Sequence, residues 1–383
     1  MEQIKILFSG SLNVKTGGPA MSTSLAMLGL KEHGDDVRIF MNKKDEGCKL
    51  RTEEIAIIWS KEPFCEKTGY PWRIFCDNPF IKECDIIHPQ GVWDYNVRAT
   101  CLLARKMNKP YVISLRGMLY PQALKKSALK KKVFMNLFTS KVLSNAACIH
   151  ATCEDEMIYY RNLGFKNPVT IIPNPIDVSE KYETYQKNFN NEKFVIGYLG
   201  RLHKRKNVES LITAVSMLSK KYNNIELVII GGGDDIYENE LKSLAQNLKV
   251  YDKVKFCGFL TGEKKENTLD SLSLLVMPSE FENFGNVILE GLVRRIPCIA
   301  TKGSPWKVLK EYNCGWWIDY NQEEINKAIE EAVNKSPEQL YEMGKNGFKL
   351  VKTMFTKEIV GIKLHKTYEW LLNGGEKPDF VYE

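Results

Sequence analysis

Glu282 and Glu290 stand eight positions apart in the run Pro278-Ser279-Glu280-Phe281-Glu282-Asn283-Phe284-Gly285-Asn286-Val287-Ile288-Leu289-Glu290. The run follows an apolar strand-like segment, Leu274 to Met277, and reads as a loop that opens a helix. A helix N-terminus presents unpaired N–H groups and the positive end of its dipole, so it attracts phosphate. Carboxylates accept hydrogen bonds, and sugars are rich in hydroxyl donors. Phosphate beside sugar hydroxyls is the chemistry of a nucleotide-sugar. A second cluster, Gly200-Arg201-Leu202-His203-Lys204-Arg205-Lys206-Asn207, lies between a strand end and a helix start. Arg201 offers a rigid fork and Lys206 a point charge, a combination suited to a diphosphate. A solvated basic loop has the same composition. The two glutamates downstream are what favour the ligand reading.

Weaker signals lie elsewhere. Ser9 to Pro19 carries Gly17 and Gly18 after the first strand, and glycine lets backbone approach a ligand closely. A plain glycine turn is the alternative. The run lacks both the dinucleotide glycine fingerprint and the Walker pattern. His88 and Arg116 end two strands and are expected to face a cleft, although a lone His is often structural and an Arg often superficial. Gly231-Gly232-Gly233-Asp234 ends another strand; a tight turn explains it, and substrate contact at Gly233 is the sharper reading. Trp316 and Trp317 read as core or edge packing.

These groups need a scaffold of strand ends. Strand-like runs at Ile4 to Phe8, Val37 to Met41, Asp85 to His88, Tyr111 to Leu115, Ala147 to Thr152 and Val169 to Ile172 alternate with helical segments such as Pro19 to His33 and Tyr95 to Met107. The alternation restarts with Phe194 to Leu199, Ile225 to Ile230, Val254 to Cys257, Leu274 to Met277 and Cys298 to Ala300. Asn207 is placed to cap the helix carrying Leu211, Ala214, Val215 and Leu218. Two such series predict two doubly wound, Rossmann-like α/β domains, with ligand at the carboxyl ends of their strands and in the cleft between them. The predicted boundaries are 1–178, a polar, Asn-rich linker at 179–193, a second domain at 194–354, and a final amphipathic helix with a loosely ordered tail at 355–383.

At 383 residues two domains are the prior, and 44% hydrophobic with 26% charged residues is ordinary for a globular protein. A net charge of +7 suits an anionic substrate or membrane surface without demanding nucleic acid. The ten cysteines include no Cys-x-x-Cys pair, which argues against zinc and for a reducing, cytoplasmic setting. The N-terminus lacks a signal-peptide pattern and no run reaches a membrane span, so any membrane contact is expected to be peripheral. Ala123 to Lys141 interleaves Lys125, Lys126, Lys130, Lys131, Lys132 and Lys141 with Val133, Phe134, Leu137 and Phe138. Such a helix can lie on anionic lipid, or be the wet face of a packed helix.

Taken together, Gly200-Arg201-Leu202 with Lys206, the Glu-x7-Glu pair Glu282 and Glu290, Ile172-Pro173-Asn174-Pro175-Ile176-Asp177, and Gly17-Gly18 resemble glycosyltransferase family 4, over nearly the whole chain. The resemblance implies a GT-B fold and a retaining, metal-independent transfer from a nucleoside-diphosphate sugar of UDP or GDP type, with no cofactor. By that likeness Arg201, Lys206 and Glu282 are catalytic. Glu290 binds ribose, and Phe284, Gly285, Asn286 and Val287 complete the donor pocket with Gly17, Gly18 and Gly233. His88 and Arg116 lie on the acceptor side, and no residue is assigned to a metal. The helix Phe355 to Leu372 would cross back onto the first domain, and domain closure would accompany donor binding. The chain departs from the family at Arg116-Gly117, where many members have His-Gly, at Asn174-Pro175, and at Arg294-Arg295-Ile296-Pro297. The expected acceptor is a glycan or lipid-linked glycan of bacterial surface polysaccharide synthesis, at the inner face of a membrane. An epimerase on the same fold and a non-catalytic sugar-binding scaffold are the competing readings, and a nicotinamide oxidoreductase is disfavoured.

Overall fold

The computed structural model describes residues 3–13, 17–42, 54–60, 78–189 and 192–383. The chain divides into two units, Met1–Asp177 with Phe355–Glu383, and Val178–Met354. In the first unit the strands are β1 (Lys5–Ser9), β2 (Asp36–Met41), β3 (Ala56–Trp59), β4 (Ile86–Pro89), β5 (Val112–Ser114), β6 (Cys148–Ala151) and β7 (Val169–Ile171). They pair in parallel in the order β3-β2-β1-β4 and β5-β6-β7, and the bridges Ile87–Tyr111 and Gln90–Ser114 join β4 to β5. Parallel strands are covered on both faces, which is why they read as unbroken apolar runs; Ile6, Leu7, Ile86, Ile87 and Ile113 are fully buried.

The second unit carries β8 (Phe194–Leu199), β9 (Ile225–Ile230), β10 (Val254–Gly258), β11 (Leu274–Met277), β12 (Cys298–Thr301) and β13 (Gly315–Ile318). The six are parallel, in the order β10-β9-β8-β11-β12-β13. The order reverses between β8 and β11. A doubly wound sheet binds its ligand at such a switch point, outside the carboxyl ends of the two strands. The basic loop follows β8, and the Glu282–Glu290 run follows β11.

Four expectations change. Segment 179–193 is not a linker: its described part holds a helix, Glu180–Thr184, and buries Tyr182, Lys187 and Phe189 in the second unit. Arg294 lies beneath it, 5% exposed, paired with Glu266 and Asp270 and with its guanidinium 5.0 Å from the Tyr182 ring centroid. The polar surface of the segment hid its three buried anchors. The tail is not loose either. Its strand β14 (Val381–Tyr382) pairs antiparallel with β7, and Val381 is 3% exposed. Asn207 does not N-cap the following helix; at φ 54° it closes the 3-10 turn Lys204–Lys206 instead, and Val208 stands at the N-cap of Glu209–Leu218. Strands β3, β13 and β14 were missed because they are short or mixed with aromatic and polar residues. The helix Lys357–Asn373 packs on Gly18–His33 within the first unit, where Gly29 and Gly361 let the two backbones touch.

Candidate functional site

In the second unit the basic loop leaves β8 and the glycine turn Gly231-Gly232-Gly233 leaves β9. The turns lock together. A Cβ on Gly231 would lie 1.8 Å from the Gly200 oxygen, and one on Gly233 would lie 2.5 Å from the Leu202 oxygen. Steric need therefore explains both glycines. Tyr198 donates to the Arg201 oxygen at 2.9 Å and fixes the loop from below, while the Arg201 side chain is exposed.

Lys206 reaches across the switch point and pairs with Glu282. The pair is largely shielded, with side chains 20% and 12% exposed. The Ser279 hydroxyl donates to the same Glu282 oxygen at 2.7 Å, and the Glu282 N–H donates to Gly303 at 2.8 Å. Gly303 permits that approach, since a Cβ there would stand 2.0 Å from the Glu280 oxygen. Glu282 is thus pinned by one cation, one hydroxyl and its own backbone.

Glu290 sits in the first turn of the helix Val287–Val293, with no side-chain cap at Asn286. Its carboxylate pairs with Lys265 at 2.5 Å. Lys265 comes from the helix Gly262–Asp270 and carried no signal in the sequence, 25 residues upstream amid other charged groups. Phe284 is 5% exposed and packs on Trp306, whose indole N–H donates to the Phe284 oxygen at 2.6 Å. Both the Phe284 ring and its carbonyl are thus taken up by Trp306. Gly285 has φ 85°, which favours glycine, and a Cβ would also stand 2.6 Å from the Met277 sulfur. Ser279 and Trp306 lay in or near the motif, yet only packing reveals their roles.

In the first unit Gly17 stands exposed at the start of the helix Gly18–His33 with φ 65°, and Gly18 and Pro19 follow it. Residues 14–16 of that loop lie outside the described residues. His88 does not face a cleft. It is fully buried, with Nδ1 2.5 Å from the Tyr368 hydroxyl and Nε2 2.8 Å from the Ser114 hydroxyl, which in turn lies 2.8 Å from His150 Nδ1. Burial, with lesser help from His150 and Arg116, pushes His88 well below the usual histidine range, and burial then Arg116 pushes His150 down to about 3. Both rings are neutral structural links. A strand end can face the covering helix as readily as the ligand, and here Tyr368 of the final helix occupies that position.

Arg116 follows β5 at φ 54°, half-buried. It donates to Gln90 (3.0 and 2.6 Å), Ser22 (3.2 Å), Asn174 (2.8 Å) and Thr23 (3.0 Å). All five guanidinium donors thus meet neutral acceptors. Burial pushes its pKa down to about 10, partly offset by Glu156. It stays cationic at neutral pH and cannot accept a proton there. Asn174, which precedes the departing Pro175, is one of its anchors, so the Arg116 departure is held by a residue beside a second one.

Two family models match the chain: a glycosyl transferase 4-like domain over residues 17–175, and glycosyl transferases group 1 over residues 181–350. The capsular polysaccharide biosynthesis glycosyltransferase CapM of Staphylococcus aureus is 27% identical over 237 residues, which is 58% of this chain and 58% of that protein. The alpha-monoglucosyldiacylglycerol synthase of Streptococcus pneumoniae is 22% identical over 94% of this chain and 87% of its own. The crystal structure of Anabaena HepE in complex with UDP-glucose superposes with a TM-score of 0.71 at 17% identity, covering 95% of this chain and 99% of that one. That likeness shows the GT-B fold.

Proposed function

Because this chain belongs to the group 1/4 glycosyltransferases, we propose that it moves a sugar from a UDP- or GDP-type nucleoside-diphosphate sugar to a hydroxyl of a glycan or lipid-linked glycan. The supporting observation is the joint presence, where β8 and β11 part, of Lys206 holding Glu282 and of Glu290 one loop further on. Arg201 and Lys206 meet the diphosphate. Glu282 accepts hydrogen bonds from the donor sugar and Glu290 from the ribose, in place of its pairing with Lys265. The backbone at Phe284 to Val287 lines the same pocket. HepE was crystallised with UDP-glucose, which supports a nucleotide-sugar here.

In this reading the bond from the anomeric carbon to the phosphate oxygen breaks, and its electron pair leaves with the diphosphate. The acceptor oxygen bonds to the same face of that carbon, so configuration is retained. The acceptor proton passes to the departing phosphate oxygen, and neither an enzymic base nor a metal is required. Arg201 and Lys206 stabilise the negative charge as it grows, the largest kind of catalytic contribution in many enzymes.

The deciding experiment is thermal shift against UDP-, GDP-, ADP-, dTDP- and CMP-sugars with NAD as control. One nucleotide-sugar should raise Tm, and Glu290→Ala should abolish that rise, since a ligand bound to the native state stabilises it by mass action. Flat responses from folded protein would turn the reading toward a sugar-binding scaffold. Donor consumption without an acceptor product would instead favour an epimerase.

The acceptor side includes a membrane. Ala128–Phe134 is a helix with no buried residue, and Leu129, Val133, Phe134 and Leu137 are 78%, 48%, 42% and 62% exposed. Exposed lysines 125, 126, 130 and 132 surround them, while Lys131 turns back to the Ala123 oxygen at 2.5 Å. Apolar side chains ringed by cations suit an anionic bilayer. Neutralising Lys126, Lys130 and Lys132 to Gln should weaken binding to anionic vesicles by on the order of 100-fold, at about 1 kcal/mol per cation near the surface. Unchanged vesicle binding would remove the membrane from this account. No helix among the described residues is long and apolar enough to cross one.

A further inference from the structure

His33, Asp35 and His365 meet within the first unit. His33 ends the helix Gly18–His33, Asp35 follows its left-handed Gly34, and His365 lies on Lys357–Asn373. One potential ligand atom from each lies within 4.8 Å of the others. His365 Nδ1 stands 2.9 and 3.1 Å from the two Asp35 oxygens, and the two side chains are 3% and 1% exposed. The rings of His33 and His365 lie 4.2 Å apart, tilted by 42°.

A buried Asp–His hydrogen bond accounts for only two of the three. His33 Nδ1 is also buried, and it has no hydrogen-bond partner among the described residues. A buried polar atom without a partner calls for an explanation such as an ion. We propose that His33, Asp35 and His365 form a site for a divalent transition-metal ion of the zinc class, clamping the returning C-terminal helix to the end of the first helix. Two imidazoles and a carboxylate are a zinc donor set. Bonds of roughly 2.0–2.2 Å put neighbouring ligand atoms of a tetrahedron about 3.3 Å apart. The Asp35–His365 separation is close to that, and His33 needs a small shift. The helix end adds a favourable field, because the C-terminal end of a helix dipole attracts cations. The clamp is structural and takes no part in sugar transfer. The cysteines gave no zinc signal; two histidines 332 positions apart in the chain supply one.

The test uses the full chain without an affinity tag, stripped with EDTA and titrated with zinc chloride by calorimetry, with parallel thermal melts. One equivalent of zinc should bind saturably at micromolar concentration or below and raise Tm by several degrees, while magnesium does neither. His33→Ala keeps the Asp35–His365 hydrogen bond, so it should fold, yet lose zinc affinity by about 100-fold or more, at or beyond what loss of a supporting group costs. His33→Cys should retain binding. No saturable binding at micromolar zinc would overturn the site, as would stoichiometric binding unchanged in His33→Ala.

Discussion

Lys206→Ala should lower turnover by roughly 100- to 1,000-fold, the usual loss when one preorganised donor to developing charge is removed. Lys206 pairs with Glu282, so two explanations of such a loss compete. In one, the ammonium meets the diphosphate directly. In the other, it only holds Glu282 in place. A double-mutant cycle separates them, because groups acting through each other are non-additive. If Lys206 merely positions Glu282, Lys206→Ala added to Glu282→Gln costs nothing further. If it meets phosphate, the double variant is slower than Glu282→Gln alone. Ser279 and the Glu282 backbone continue to hold the loop, so the variant should still fold cooperatively. Near wild-type turnover would end the phosphate assignment.

Gly361→Val should lower Tm by on the order of 10 °C. At Gly361 a Cβ would lie 2.4 Å from the Gly29 carbonyl carbon and 2.5 Å from its oxygen. At Gly29 it would lie 1.9 Å from the Lys357 oxygen. These are backbone atoms, which no rotamer change can move aside. Overpacking typically costs about 1–3 kcal/mol, and a backbone-to-backbone clash belongs at or above the upper end. Separating the two helices would also strain Lys357 with Glu32, His365 with Asp35 and Tyr368 with His88. Tyr368 and His88 are fully buried, so their polar atoms would lose partners that water cannot replace. A thermal melt of the purified variant checks this, and an unchanged Tm would show that the helices can part without cost.

The α/β class, most strands and the two loops at the switch point are legible in the amino-acid order alone. Parallel strands buried on both faces leave unbroken apolar runs, and two loops with clustered charge and glycine between a strand end and a helix start set Arg201, Lys206, Glu282 and Glu290 apart locally. Where a group's role depends on a partner distant in the chain, the pattern was silent. Lys265 could not be linked to Glu290, nor Asn174 to Arg116, because each pairing arises only when separate elements fold together. His88 was misread for the same reason: a strand end fixes its position, but the helix returning nearly three hundred residues later decided that it is covered. The family resemblance implied that return, but not its seat: two glycines far apart in the chain, whose missing side chains let one backbone lie against another, are matched only once both helices are packed.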